Sequence, residues 1–264
     1  MDRRASSYTE YLRIVELLRL QETLSDEHDE MLFIVIHQVY ELWFREMIHE
    51  AEAIMTALRQ ERIRPATRLY RRLIEIQRVL LQQVSVLETM TPSEFNRFRD
   101  RLNPASGFQS SQFRELEFLS GMKDKAYLAM PGMSEGDTAR LKLRLDGPTL
   151  SDVFDDVLRA RGFALAQGAP AGSPERIEAL RVIYDHHEDH DDLFQLCEAM
   201  IEYDENFQLW RFHHVRMVER MIGRRKGTGG SDGVGYLQRT LDKRCFPDLW
   251  EVRTHLKGGG AYGG

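Results

Sequence analysis

The residues from Glu27 to Arg59 include neither proline nor glycine, the two residues that are least compatible with a helix interior. Within this run apolar side chains recur three or four positions apart, beginning with Met31, Ile34 and Val35. That spacing is the period of one face of an α-helix. The sequence therefore predicts one long amphipathic helix here, and the rest of the fold has to pack around a helix of that length.

The same helical period continues through most of the remaining chain, interrupted by clusters of glycine and proline. We expect the later helices from Pro65 to Leu87, from Pro92 to Leu102, from Ser111 to Ser120, near 149–161, from Pro174 to Ile222 with a break near 185–192, and near 236–243 and 247–255. Residues 122–147 hold three glycines and one proline and are predicted to be an irregular connector. The sequence predicts an all-α fold in a single domain, residues 1–256, followed by a disordered Gly-rich tail at 257–264.

Charge and cysteine usage exclude some classes of function. Lys and Arg number 36 against 42 Asp and Glu, a net charge of −6, which argues against nucleic acid as the main partner. Two cysteines, Cys197 and Cys245, cannot form a disulfide framework and fit a reducing compartment. The N-terminus has no long apolar core of a signal peptide, and no run is long and apolar enough for a membrane span. We expect a cytoplasmic protein without a membrane partner.

Two histidines lie on otherwise apolar helix faces. The first face carries Phe33, His37, Tyr40 and Phe44, and the second carries Phe207, Trp210, His214, Met217 and Met221. A neutral imidazole in a wall of aromatic and methionine side chains suits an axial haem ligand or a distal hydrogen-bonding group. The alternative is a core histidine that bonds a backbone carbonyl. The spacing leaves both interpretations open.

Arg99 shares a short predicted helix with Phe95, Phe98 and Leu102, so its guanidinium lies on the apolar side. An arginine in that position can bind a carboxylate with two parallel hydrogen bonds. A snorkelling arginine or a structural ion pair is the alternative.

The loop from Gly227 to Gly233 is rich in glycine and contains Thr228. It lacks the Lys-Ser/Thr ending of a P-loop and the third glycine of a dinucleotide-binding loop. Residues 229–233 match the nucleophile elbow of hydrolases, but a predicted helix precedes them where that motif requires a strand. We expect a mobile loop whose amides and Thr228 hydroxyl can close over an anionic group.

Metal-ligand residue types occur at two other places. His186 and His190 lie four apart in an acidic run, and Glu46 and His49 form a Glu-x-x-His pair without a second copy. Solvated helix faces explain both patterns, and a metal-dependent enzyme is the alternative. No Cys-x-x-Cys-His occurs, so any haem is expected to be held without covalent attachment.

Several stretches, taken together and in order, resemble the tryptophan 2,3-dioxygenase family over roughly residues 8–256. They are Tyr8-Thr-Glu-Tyr-Leu12, His28-Asp-Glu-Met-Leu-Phe-Ile-Val-Ile-His-Gln38, Glu41-Leu-Trp-Phe44, Thr91-Pro-Ser-Glu-Phe95, Phe98-Arg-Asp100, Ser106-Gly-Phe-Gln-Ser110, Gln208-Leu-Trp-Arg-Phe-His-His214 and Gly227-Thr-Gly-Gly-Ser231. The resemblance implies an all-helical homotetramer that binds haem b, with ferrous iron for activity. It implies insertion of both atoms of O₂ across the indole C2–C3 bond of L-tryptophan, giving N-formyl-L-kynurenine, the first step of tryptophan catabolism through kynurenine.

The resemblance also assigns roles to residues. His214 is implied to be the axial ligand of the haem iron, with Ser106, Gly107 and Trp210 near the cofactor. His37 is implied to be the catalytic residue that accepts the indole N–H. The implied substrate contacts are Phe33 and Phe95 on the indole, Arg99 and Thr228 on the carboxylate, and Tyr8, Tyr11 and Leu12 from a neighbouring subunit.

Two positions depart from the family pattern. Asp232 stands where family members commonly carry serine, and Phe95 stands where some relatives have tyrosine. Relatives of this family also insert a single oxygen atom, so a haem-dependent monooxygenase acting on a modified tryptophan or indole is the alternative activity. A haem-binding sensor without turnover is the alternative from another class, because haem binding alone requires only His214.

Overall fold

The computed structural model describes residues 7–225, 227 and 234–256, apart from the side chain of Tyr236. The helices are α1 (Tyr8–Tyr11), α2 (Ile14–Leu17), α3 (His28–Arg59), α4 (Ile63–Leu87), α5 (Pro92–Phe98), α6 (Ser111–Leu119), α7 (Glu135–Asp146), α8 (Leu150–Ala160), α9 (Pro174–Asp185), α10 (Asp191–Ile222), α11 (Val234–Gln238) and α12 (Pro247–His255). Short 3₁₀ helices cover Arg99–Leu102, Gly107–Gln109 and Lys125–Ala129. The described part of the chain contains no β-strand, which confirms the all-α prediction.

Three long helices form the central layer, with α4 packed between α3 and α10. The Tyr40 hydroxyl of α3 donates to the Leu80 carbonyl of α4 at 2.8 Å. On the other side, the Gln77 amide of α4 donates to the Tyr203 carbonyl of α10 at 3.1 Å. The side chains of α4 that are buried between its neighbours recur every three or four residues, as the period of the sequence predicts. No helix in the described ranges is both long and apolar enough to cross a membrane.

Most of the predicted helices are confirmed within one or two residues, with three differences. The helix predicted near 236–243 is only the short α11, which begins at Val234 and ends at Gln238. α4 begins at Ile63 rather than Pro65, because a proline is tolerated in a first helical turn, where the N–H has no helical acceptor. Arg99 lies in a 3₁₀ turn that directly follows α5 rather than in the α-helix itself. The break near 185–192 is confirmed as the turn between α9 and α10.

The predicted connector at 122–147 is wrong, because it contains a 3₁₀ helix and the three-turn helix α7. A capping box starts α7, in which the Ser134 side chain accepts from the Asp137 amide and Asp137 reaches back to the Ser134 amide. Leu141 is the one residue of α7 that is fully buried, so the helix lacks a broad apolar stripe. Arg140 and Arg144 instead attach α7 to Glu115 of α6 through buried carboxylate oxygens. An ion-paired helix of this kind gives little hydrophobic signal in a sequence.

Candidate functional site

A large cavity lies between α3, α5, α6 and α10. Its empty volume is about 1530 Å³, including the part that opens to solvent. Its walls are mainly apolar and come from two separate hydrophobic clusters, one that includes Phe44 and one that includes Met217.

The cavity brings together most of the residues that the sequence singled out. Phe33, His37, Phe95, Arg99, Ser106, Gly107, Trp210 and His214 line it. Tyr8, Tyr11 and Leu12 do not line it and lie exposed on the N-terminal segment of the same chain. Thr228 and Asp232 lie outside the described residues, although Gly227 at the start of their loop does line the cavity.

The hydrogen bond of His37 fixes the tautomer of its imidazole. Nδ1 lies 2.7 Å from the Phe33 carbonyl oxygen, one helical turn earlier. Because a carbonyl can only accept, Nδ1 carries the proton, and Nε2 is left with a lone pair. Burial lowers the pKa of His37, while the Phe33 carbonyl and the nearby Glu41 charge oppose that shift. His37 is therefore a neutral hydrogen-bond acceptor in the cavity wall, and a backbone carbonyl satisfies only one of its two nitrogens.

His214 lies on α10, and its imidazole forms no hydrogen bond to any part of the described chain. Burial lowers its pKa to about 4, with smaller contributions from the nearby His37 and Arg114. Its ring stacks on Trp210, one turn earlier, with a centroid distance of 5.1 Å and an interplanar angle of 6°. A neutral imidazole with a free lone pair in an apolar wall is the form in which histidine binds a metal.

The Trp210 indole is a second group that fits a ligand in the cavity. Its Nε1 is buried and makes no hydrogen bond of normal geometry among the described residues, although the indole N–H is near enough to the Tyr40 hydroxyl to oppose the rise that burial causes in the pKa of Tyr40. A buried donor without an acceptor costs free energy, roughly 1–3 kcal/mol, unless a bound molecule supplies the acceptor. Phe113 packs against the indole with ring centroids 4.9 Å apart, which holds the donor in place.

Charged side chains line another part of the cavity. Glu117 accepts from Arg114 of its own helix and from Arg211 of α10, the latter at 2.7 Å. Arg211 also donates to the backbone carbonyl of Lys243 at 3.1 Å. These three side chains are buried. Arginine guanidinium groups in a cavity wall can donate hydrogen bonds to an anion, such as a carboxylate of a bound cofactor.

Gly107 provides space beside this wall, because a Cβ added there would meet no atom within 4 Å. Its neighbour Ser106 caps the 3₁₀ helix Gly107–Gln109, with the Gln109 side chain accepting from the Ser106 amide at 3.0 Å. The neutral His214, the buried Trp210 donor and the two arginines are groups that haem can use: a ligand for its iron and donors for its propionates. The residues present therefore fit haem b.

An aromatic cluster lines the other end of the cavity, beside Arg99. Phe33 lies 5.8 Å from both Phe95 and Phe98, measured between ring centroids, and it packs on His37 at 4.1 Å. The capping box of Thr91 and Glu94 begins α5 and so fixes this group. A flat apolar ligand with a hydrogen-bond donor on one edge and a carboxylate at its end matches an aromatic wall, the His37 acceptor and a guanidinium.

Four charged residues of the cavity wall were not predicted from the sequence as site residues: Glu41, Arg114, Glu117 and Arg211. One signal was available for Arg211, which falls on the buried face of α10 that also carries Asp204, Phe207 and Val215. A charged residue at a core position of a helix indicates a buried ion pair or a ligand. Glu117 meets Arg211 only because α6 and α10 pack together, and that contact between helices leaves no mark in the sequence.

The metal alternative finds no support in the part of the chain that the structure describes. No group of three or more His, Cys, Asp and Glu side chains in that part is arranged to hold a metal ion. The acidic run of His186 and His190 lies at the turn between α9 and α10, where His190 packs on Phe163 at 5.3 Å between ring centroids. The hydrolase-like loop lies outside the described residues.

Comparison with known proteins gives one consistent result. A family model described as tryptophan 2,3-dioxygenase matches residues 1–132 and 173–256. A curated tryptophan 2,3-dioxygenase of Nocardioides is 48% identical, covering 95% of this chain and 94% of the relative. Proteins of the same name from Myxococcus xanthus and Herpetosiphon aurantiacus are 42% and 44% identical, covering 95% and 96% of this chain and 90% and 99% of those proteins.

Proposed function

The chain belongs to the tryptophan 2,3-dioxygenase family, and from this premise we infer that it is an oxidoreductase that inserts both atoms of O₂ across the indole C2–C3 bond of L-tryptophan. The product is N-formyl-L-kynurenine, in the first step of tryptophan catabolism through kynurenine. The observation that carries this function is the shared cavity: two neutral histidines from α3 and α10 line one aromatic space that Arg99 also borders.

We propose that the cofactor is haem b, held by residues 1–256 acting as one helical domain. His214 would bind the iron, while Trp210 and the cluster of Arg114 and Arg211 would bind the propionates. When bound, haem b supplies the redox-active iron at which O₂ reacts. Trp210 contributes in two ways, because its ring stacks on the His214 imidazole and its Nε1 is a buried donor.

The residues at the other end of the cavity would bind and orient tryptophan. Phe33 and Phe95 cover the faces of the indole, and Nε2 of His37 accepts the indole N–H. Arg99, with Thr228, binds the carboxylate, and such a charge-assisted pair contributes about 1.5–3 kcal/mol. One hydrogen bond and one ion pair at opposite ends of the substrate fix which ring carbons face the iron. The apolar wall between them excludes water.

The fate of oxygen tests this function directly. Single turnover of reduced enzyme with L-tryptophan and ¹⁸O₂, without added reductant, is expected to give N-formylkynurenine with both atoms labelled. Insertion of both atoms needs no external electrons, whereas insertion of one atom requires a reductant for the second. Mass spectrometry of the product distinguishes the two. Hydroxytryptophan or oxindole with one label, formed only when ascorbate is present to reduce the second oxygen atom to water, would place the chain with the monooxygenases.

The pKa of His37 sets the expected pH dependence. The neutral imidazole must accept the indole N–H, and burial keeps the pKa below the ordinary value of 6.5. We expect kcat/KM for L-tryptophan to stay level as the pH falls from about 8 to about 6.5, and to decline only below that range, where the imidazole becomes protonated. A pH profile of wild-type enzyme beside His37→Ala checks this, because the variant should lack that inflection. If wild type and His37→Ala show the same inflection, the inflection belongs to a group other than His37.

We also propose a cytoplasmic homotetramer. Each helix of the central layer, α3, α4 and α10, carries exposed apolar side chains; they are Met31, Val35, Leu42, Val79, Val86, Leu209 and Phe212. Exposed apolar side chains that form a patch are typical of a protein–protein interface, so these helices are where we expect subunits to meet. The exposed Tyr8, Tyr11 and Leu12 would enter the site of a neighbouring subunit. The cytoplasmic location rests on the two cysteines, which are buried and unbridged.

A further inference from the structure

The N-terminal segment, which carries α1 and α2, is joined to the rest of the chain by residues 18–27, which have no regular structure. Beyond that stretch the segment is open to solvent: the side chains of Tyr8 and Tyr11 are 75% and 73% exposed. The direction in which α1 and α2 project therefore depends on the contacts that fix the conformation of residues 18–27.

The first tie at this base is the carboxylate of Glu30, in the first turn of α3. Glu30 is only 1% exposed. One oxygen accepts from the Leu24 amide at 2.7 Å, and the other accepts from the Ser25 amide at 2.8 Å and from the Ser25 hydroxyl. Burial alone would raise the pKa of Glu30, but these hydrogen bonds and the charge of Arg101 outweigh it and lower the pKa. A buried carboxylate with three donors holds the backbone of residues 24 and 25 in one conformation.

The second tie is a pair of glutamines. The side chain of Gln21 donates to the Gln38 side chain at 2.6 Å and to the Leu17 carbonyl at 3.0 Å. Gln38 in turn donates to the Leu20 carbonyl at 2.9 Å. These bonds attach the end of α2 to Gln38, about three turns from the start of α3.

Both ties are made to the elements that carry the proposed substrate site. Gln38 is adjacent to His37 on α3, and Glu30 lies one turn before Phe33. Arg101, which donates to the Leu24 carbonyl at 2.6 Å, lies in the same 3₁₀ turn as Arg99. The N-terminal segment is therefore attached to its own subunit next to that subunit's substrate site.

We propose that Glu30 and Gln38 are positioning residues for the substrate site of the neighbouring subunit. They set the direction of the N-terminal segment so that Tyr8, Tyr11 and Leu12 reach that site. The inference rests on the proposed function, in which the segment completes the site of a neighbour. Glu30 and Gln38 touch no substrate themselves and act through the segment that they hold.

Glu30→Gln tests the first tie with little change of shape. The amide has one acceptor where the carboxylate has two, so one of the Leu24 and Ser25 donors loses its bond. We expect the KM for L-tryptophan to rise about tenfold, with kcat and haem content close to those of wild type. Trypsin should also cleave faster after Arg13 and Arg19, because the segment is no longer held.

Glu27→Gln is the matched control. Glu27 lies on the same stretch, but its carboxylate pairs only with Arg97, at 3.4 Å on the surface, and contacts no part of the N-terminal segment. The Glu27→Gln variant should have the same KM for L-tryptophan and the same rate of trypsin cleavage as wild type, because an exposed ion pair contributes little to stability.

Mixed assemblies show whether the effect crosses between subunits. Glu30→Gln subunits are co-expressed with an excess of His214→Ala subunits, which lack haem but retain an intact N-terminal segment. The haem-bearing sites then belong to Glu30→Gln chains and receive segments from His214→Ala chains. Their KM should return toward the wild-type value. A KM that stays high in the mixed assemblies would mean that Glu30 acts only within its own subunit, and the inference would be wrong.

Deletion of residues 1–12 separates this inference from the proposed function. If the deletion raises KM while Glu30→Gln has the wild-type KM and cleavage rate, the ties are unnecessary and the inference fails alone. If the deletion leaves KM unchanged, the segment does not complete a neighbour's site, and the inference fails together with that part of the proposed function. The labelled-oxygen experiment tests the reaction itself in either case.

Discussion

Protein carrying His214→Ala is expected to fold but to lose most of its haem. Wild-type protein should carry about one haem b per chain. Removal of an outer-shell partner already lowers the affinity of a metal site about 10–100-fold, and removal of the axial ligand should cost more. The fold should survive, because the His214 imidazole forms no hydrogen bond within the described chain and borders a cavity rather than packed core. Soret absorbance per chain and far-UV circular dichroism measure the two effects.

His213→Ala is the control for this experiment, because His213 precedes the proposed ligand on α10 and is exposed. It should keep the full haem content. Free imidazole can enter the space that His214→Ala leaves and should restore part of the Soret band. Full haem with an unchanged ferrous spectrum in His214→Ala would show that another residue binds the iron.

Arg99→Met is expected to raise the KM for L-tryptophan by about one to two decades, since a charge-assisted hydrogen bond contributes about 1.5–3 kcal/mol. Methionine keeps much of the apolar stem of arginine, so the aromatic cluster should remain packed. Binding of tryptamine, which has no carboxylate, should change little. The experiment compares KM for L-tryptophan and the dissociation constant for tryptamine in wild type and variant.

Arg97→Met controls for the loss of a charge on the same element. Arg97 lies on α5, exposed and paired with Glu27. Arg97→Met should change the KM for L-tryptophan and the dissociation constant for tryptamine only slightly. Equal losses for tryptophan and tryptamine in Arg99→Met would show that Arg99 supports the wall structurally rather than binding the carboxylate.

The helical framework could be predicted from the sequence because its signals are local. Apolar periodicity predicted α3 and α4, and the capping box at Thr91 predicted the start of α5. The same periodicity placed His37 and His214 on apolar faces, and the structure brings both to one cavity. What the period could not provide is the distance between two helices that lie far apart in the chain.

The features that escaped prediction depend on tertiary contacts. α7 is held by arginines that pair with Glu115 of α6. The cluster of Arg114, Glu117 and Arg211 forms because Glu117 of α6 pairs with Arg211 of α10. Neither pairing leaves a periodic signal. The roles of Tyr8 and Tyr11 depend on a second subunit, and that of Thr228 on a loop outside the described residues. These roles rest on the resemblance to the family alone.

The cavity also affects the stability of the protein, because it lies between two hydrophobic clusters that a conventional core would join. Without haem those clusters face an empty space, as in a protein whose core has been hollowed by mutation. A ligand that binds only the folded chain adds about 4 kcal/mol when its free concentration is about a thousand times its dissociation constant. Haem would then complete the hydrophobic core, so a shortage of haem would lower the amount of folded protein as well as its activity.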